Sequence, residues 1–73
     1  MNTLNAVTTA ESPSVRQMQG FIREKLAVDV KLLTGDTIQG AIFWQDQDCI
    51  SVKTAGADML VWKHAIAFIQ PRS

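Results

Sequence analysis

The final apolar run, Ala65-Ile66-Ala67-Phe68-Ile69, constrains this chain more than any other stretch. It is apolar on both faces, so as a strand it needs cover on two sides and a partner along its edge. A second apolar run, Met59 to Trp62, precedes it, and only Lys63-His64 stands between the two. A two-residue hairpin wants Asn-Gly or a similar pair that accepts positive φ, and neither Gly nor Pro is present here. The spacing therefore predicts a sharp strand-to-strand bend that throws Lys63 and His64 outward and sends the last run to pair elsewhere. In a chain of 73 residues, another copy of the same chain is a candidate partner.

The rest of the chain supplies a helix and three further strands. Residues 1–11 have neither clean periodicity nor an apolar face and are expected to form a loose tail ahead of one domain over residues 12–73. Ser12-Pro13 is a helix start, with Ser as N-cap and Pro in the first helical position; Ser14 and Gln17 offer a second cap one turn on. Val15, Met18, Ile22 and Leu26, widened by Phe21, make the apolar stripe of a helix over about 13–25. Such a helix is marginal alone and must lie on something. Residues 27–34 alternate Val28, Val30 and Leu32 against Asp29, Lys31 and Leu33, which is the pattern of a half-buried strand. Thr34-Gly35-Asp36 is a turn, and residues 37–45 alternate Ile38, Gly40, Ile42 and Trp44 against Gln39, Ala41, Phe43 and Gln45. Gly40 inside that strand implies a bend, bulge or close backbone approach. After the turn Asp46-Gln47-Asp48 comes a strand over 49–53 with Ile50 and Val52 inward, then a loop of small residues over 54–58. The last two strands are expected over about 59–63 and 65–70, and Pro71 ends the second.

One helix followed by five short strands predicts a small, strongly bent antiparallel sheet or open barrel. An open barrel has two unpaired edges, and edge-to-edge pairing repeated head to tail between copies closes a ring. Seven Lys and Arg balance seven Asp and Glu, so there is no strongly basic surface, and any nucleic-acid site must be local. The single Cys49 excludes an intrachain disulfide and a cysteine metal framework. No run approaches the roughly 18 apolar residues of a membrane span, and the N-terminus lacks a signal-peptide pattern, so the expected location is the cytoplasm. One His and one Cys, with no nucleophile-base pair or metal-ligand spacing, point away from an enzyme and from any cofactor.

Two motifs then carry a resemblance. Leu33-x-Gly35-x4-Gly40-x-Ile42-x3-Asp46 resembles the first Sm motif, and Lys63-His64-Ala65-Ile66 matches the signature of Hfq, the bacterial branch of the Sm/LSm family. The likeness covers residues 13–72, and Trp44-Gln45-Asp46 with Val61-Trp62 is similar to the cyanobacterial members. It implies a Sm-like fold, an N-terminal helix on a strongly bent five-stranded sheet, and assembly into a homohexameric ring that acts as an RNA chaperone.

The family uses three RNA surfaces, and their residues carry over unevenly. At the proximal pore, which takes uridine-rich 3′ ends, Gln47, Lys63 and His64 match, but Asp48 stands where a stacking aromatic is usual. On the distal face, which takes adenine-rich tracts, Leu32, Leu33, Gly35 and Gln39 fit, while Lys31 replaces a stacking Tyr. On the basic rim Arg23 and Lys25 remain, Ile22 replaces an Arg, and Glu24 separates the two cations. These departures open a second reading, a ring-shaped protein-interaction hub. The cyanobacterial branch is associated with motility and type IV pili, which makes a pilus-base component its candidate partner.

On the residues alone each site has a plainer reading beside it. His64 can satisfy turn carbonyls, Lys63 can be a solvated charge, Gln47 can be turn chemistry, and Arg23 and Lys25 can be the polar face of a helix. Asp46 is read as structural, accepting backbone donors in its turn. Trp44 and Trp62 are read as core or interface packing, and Cys49 as a small buried hydrophobe.

Overall fold

A computed structural model describes residues 12–72. The expected loose tail, residues 1–11, lies outside them, as does Ser73. Helix α1, Pro13–Glu24, starts with Pro13, whose ring presets the helical φ. Ser12 is extended (φ −60°, ψ 146°), and its carbonyl accepts from the Arg16 N–H at 3.0 Å. The hydroxyl of Ser12 makes no capping bond, so the start rests on the proline and the backbone. The helix stops at Lys25, which turns left-handed (φ 49°, ψ 46°) and donates to the Ile22 carbonyl at 3.2 Å. Phe21 is buried, and Met18 and Ile22 pack beside it. Leu26, expected on the same stripe, lies beyond the helix end and is 36% exposed.

Five antiparallel strands follow: β1 Ala27–Leu32, β2 Thr37–Gln45, β3 Cys49–Lys53, β4 Asp58–Trp62 and β5 Ile66–Pro71, in the sheet order β4-β3-β2-β1-β5. The strands β4 and β5 are consecutive in the chain yet lie at opposite edges of the sheet. A single 3₁₀ turn, Lys63–Ala65, joins them. The last strand therefore finds its mate within the chain, on β1, with Val30 opposite Ile69 and Lys31 opposite Phe68. It thus pairs away from β4, as the missing hairpin turn predicts, and the edge it takes is that of β1 in the same chain. Among the described residues each edge strand is paired on one side only, so one backbone edge of β4 and one of β5 are open there.

Two bulges set which side chains face the core. Between β2 and β3, Ile42 pairs Val52, Trp44 pairs Ser51 and Gln45 pairs Ile50, leaving Phe43 as the extra residue. An extra residue reverses the alternation beyond it. Trp44, expected inward with Ile42, is thus on the outer face and 47% exposed, and Gln45 takes the inner side beside Ile50. A second shift, between Lys31 and Leu32, leaves Ala67 unpaired. Ile66 and Ile69 can then both pack on the core, while Phe68 between them is outward.

The core joins α1 to the inner face of the sheet through Phe21, Val28, Val30, Ile42, Ile50, Val52 and Val61. Gly40 is there because β3 comes too close for a side chain. A Cβ would run into the Lys53 carbonyl oxygen and lie 3.0 Å from Val52 Cγ1. Since that obstacle is backbone, Gly40→Ala is expected to destabilise by about 1–3 kcal/mol, the usual range for overpacking. Gly56→Ala, which meets nothing within 4 Å, is the control and should move the urea midpoint far less. Equal midpoints for the two variants would contradict this origin of the glycine.

Candidate functional site

The 3₁₀ turn is held from both sides by backbone. The Lys63 N–H donates to the Asp48 carbonyl at 2.7 Å, tying it to the β2-β3 turn, and the Ala65 carbonyl accepts from the Leu33 N–H at 2.8 Å, tying it to the β1-β2 turn. Trp62 enters extended (φ −76°, ψ 134°) and Ile66 leaves extended (φ −96°, ψ 129°), so three residues carry the whole change of direction. These bonds bring Gln47, Lys63 and His64 into one neighbourhood, with Gln47 and His64 exposed.

Lys63 is not thrown outward as the bend predicted. It is half-buried, and its Nζ donates to Gln45 Oε1 at 2.8 Å. Gln45 is the residue the alternation missed, because the Phe43 bulge is what brings it to the inner side. An ammonium has three donors, so this bond aims Lys63 and leaves two for a ligand. His64 remains exposed and, among the described residues, makes no side-chain hydrogen bond.

Asp46 organises the turn beneath. Its Oδ1 accepts from the backbone N–H groups of Asp48 at 2.9 Å and Cys49 at 2.7 Å, the structural role expected of it. The bond from Cys49 and then that from Asp48 hold its carboxyl below the usual range, against slight desolvation and with minor help from Lys63. Cys49 is buried at the start of β3, and burial followed by the charges of Asp46 and Asp48 raises its thiol, as befits an inert packing residue.

The other expected residues do not form single surfaces. Lys31 and Gln39 share the outer face of β1 and β2, since Lys31 opposes Thr37 and Asp29 opposes Gln39. Leu33 is 68% exposed in the following turn, where Gly35 adopts φ 102°. Leu32 instead packs against the core. Arg23 is exposed in the last helical turn and, with Pro13, Arg16 and Gln17, lines an open concavity of about 420 Å³. Arg16, seven residues before Arg23, is a second cation of that concavity. Lys25 diverges from Arg23 because of its left-handed backbone, and its Nζ lies 5.6 Å from the centre of the Phe43 ring. Among the described residues no cluster of His, Cys, Asp or Glu is placed to hold a metal, and no helix is long and apolar enough to cross a membrane.

A helix on a bent sheet of order β4-β3-β2-β1-β5, with a one-turn link between its edge strands, is a Sm-like fold. A family model described as Hfq related matches residues 12–71, and the chain belongs to the Hfq family. Among curated relatives, the RNA-binding protein Hfq of Cereibacter sphaeroides is 39% identical over 49 residues, 67% of this chain and 64% of the relative. That of Methylocella silvestris is 36% identical over 52 residues, 70% and 63% of the two chains. The matches thus span less than two thirds of these relatives' length. An Hfq crystal structure from Anabaena sp. is 42% identical with a TM-score of 0.76, covering 82% of this chain and 97% of that one. A structure described as the pleiotropic translational regulator Hfq is 26% identical with a TM-score of 0.82, over 85% and 94%.

Because its folded pKa is depressed, Asp46 contributes stability that is present above the ordinary aspartate value of about 3.9 and is lost as pH falls through the lower folded value. Asp46→Asn keeps an acceptor oxygen but cannot ionise. Its urea midpoint is expected to fall less steeply than that of the parent chain as pH is lowered from 5 to about 2. Superimposable pH profiles would show that the carboxylate charge is irrelevant to the turn.

Proposed function

We propose that copies of this chain pair β4 of one with β5 of the next to close a homohexameric ring, and that the ring binds the uridine-rich 3′ ends of RNA around a central pore as a post-transcriptional regulator in the cytoplasm. The observation that carries this reading is the doubly tied turn. Each copy contributes a Lys63 aimed by Gln45, an exposed His64 and, one backbone bond away, Gln47. Ring closure would repeat that donor set around one opening. Lys63 supplies charge and donors to a base edge or terminal hydroxyl, His64 a hydrogen bond, and Gln47 a base-edge contact. Asp48 cannot stack a base and adds negative charge near phosphates, so binding is weak and salt-sensitive. Adenine-rich tracts are a lesser ligand for the outer face that carries Lys31 and Gln39, with Leu33 and Gly35 in the turn that follows β1, since an ammonium cannot replace a stacking ring.

A second reading has its own support. Trp44, Leu60, Trp62 and Phe68 are each between 47% and 52% exposed, and the chain carries no net charge. These features suit a ring that spends its faces on a protein, such as a component of the type IV pilus base, rather than on RNA.

Titration with a labelled uridine hexanucleotide at about 50 mM salt separates the two. Measurable binding that Lys63→Ala with His64→Ala weakens by at least about tenfold supports the pore. Binding unchanged in the double variant excludes it. No binding of uridine-rich or adenine-rich oligomers, together with one stoichiometric protein on affinity purification, establishes the hub.

A further inference from the structure

The Phe43 bulge also builds a site on the other side of the sheet. Beyond the core, two rows cross the outer face of β2, β3 and β4: Ala41-Lys53-Asp58, and Trp44-Ser51-Leu60. Phe43, the unpaired residue, stands between them, and Phe43, Trp44, Ser51, Lys53 and Asp58 enclose a pocket of about 140 Å³. Trp44 and Gln45 face opposite sides of the strand, so this pocket is distinct from the site at Lys63.

Its polar groups are available to a ligand. Lys53 Nζ and Asp58 Oδ1 are 4.0 Å apart, at the outer limit of an ion pair, with side chains 57% and 71% exposed. Pairs of that kind bind each other weakly. Cationic charge nonetheless gathers at the rim, since Lys53 and Lys25 lie 5.3 and 5.6 Å from the centre of the Phe43 ring. Two ammoniums against one carboxylate favour an anionic ligand. Aromatic walls beside that charge favour a ligand with a flat ring, and the small volume admits one ring system rather than a peptide.

We propose that this pocket takes a single nucleotide of single-stranded RNA, its base stacked on Trp44, its phosphate at Lys53 and Lys25, and an amino-bearing base edge toward Asp58 and Ser51. A carboxylate only accepts hydrogen bonds. Guanine offers it two adjacent N–H donors and uracil one, so guanine is preferred. The inference rests on the reading of the ring as an RNA binder but assigns a base preference that the Lys63 site does not require.

Anisotropy titrations of the full chain with two labelled hexanucleotides, one of uridines only and one with two central guanines, test it. The guanine oligomer is expected to bind at least about fivefold tighter, as one additional hydrogen bond to a carboxylate allows. Trp44→Leu should reduce that advantage to less than about twofold. Asp58→Asn, a change at a side chain that is 71% exposed, should likewise reduce the guanine advantage to less than about twofold. The Lys63→Ala, His64→Ala double variant should weaken the uridine oligomer and keep the guanine advantage. No guanine advantage in the parent chain, or one that survives both Trp44→Leu and Asp58→Asn, overturns the pocket. If uridine binding ignores the double variant while the advantage still follows Trp44 and Asp58, the pore reading fails and the pocket stands.

Discussion

Two backbone hydrogen bonds, from Lys63 N–H to the Asp48 carbonyl and from Leu33 N–H to the Ala65 carbonyl, hold the rest of this architecture in place. They pin a three-residue turn across the gap between the edges of one sheet. Without them β4 and β5, adjacent in sequence, have no reason to part to opposite sides. Because they do part, β5 returns to β1, and the core against α1 gains Ile66 and Ile69. A further ion pair secures that return, with Arg72 Nε 3.3 Å from Asp29 Oδ1 just past the end of β5. The same turn places Lys63 and His64 where the β2-β3 turn can share a ligand with them. Fold and candidate site are thus consequences of one local constraint.

The bulges are the second device. A strand without them would place Trp44 beside Ile42 and leave Gln45 outside. The one extra residue at Phe43 exchanges them, aiming Lys63 through a glutamine on one face and exposing two aromatic rings on the other. Gly40, two residues before Ile42, lets β3 approach β2 closely just ahead of that exchange. The bend and the chemistry of both faces come from the same few residues of β2.

Much of this was legible in the sequence where burial alone decides. Val28 and Val30 in β1, and Ile50 and Val52 in β3, face inward as their alternation says, because each stretch is short and regular. The Sm-like class was legible because Gly35, Gly40 and the Lys63-His64-Ala65-Ile66 run stand at fixed separations. Two kinds of feature were hidden. A bulge without a glycine leaves no mark in the pattern, so alternation alone puts Trp44 and Gln45 on the wrong faces. The helix end was obscured because Lys25, not Gly, takes the left-handed position, which drew Leu26 into a stripe it does not join. The pairing of β5 was hidden for another reason, since a strand apolar on both faces says that it needs a partner but not which one.

The open edges of β4 and β5 decide what the chain does in solution. Among the described residues β5 is paired on its β1 side only, and its Phe68 and the outer groups of β4 are exposed. Antiparallel edges of this length seek partners unless something blocks them. Native mass measurement of the purified full chain tests this most directly. One closed species of six 8.1 kDa chains that persists on dilution to low micromolar concentration is expected. A folded species of 8.1 kDa under the same conditions would contradict it, because the donors gathered at Lys63 and His64 would then have no ring to line.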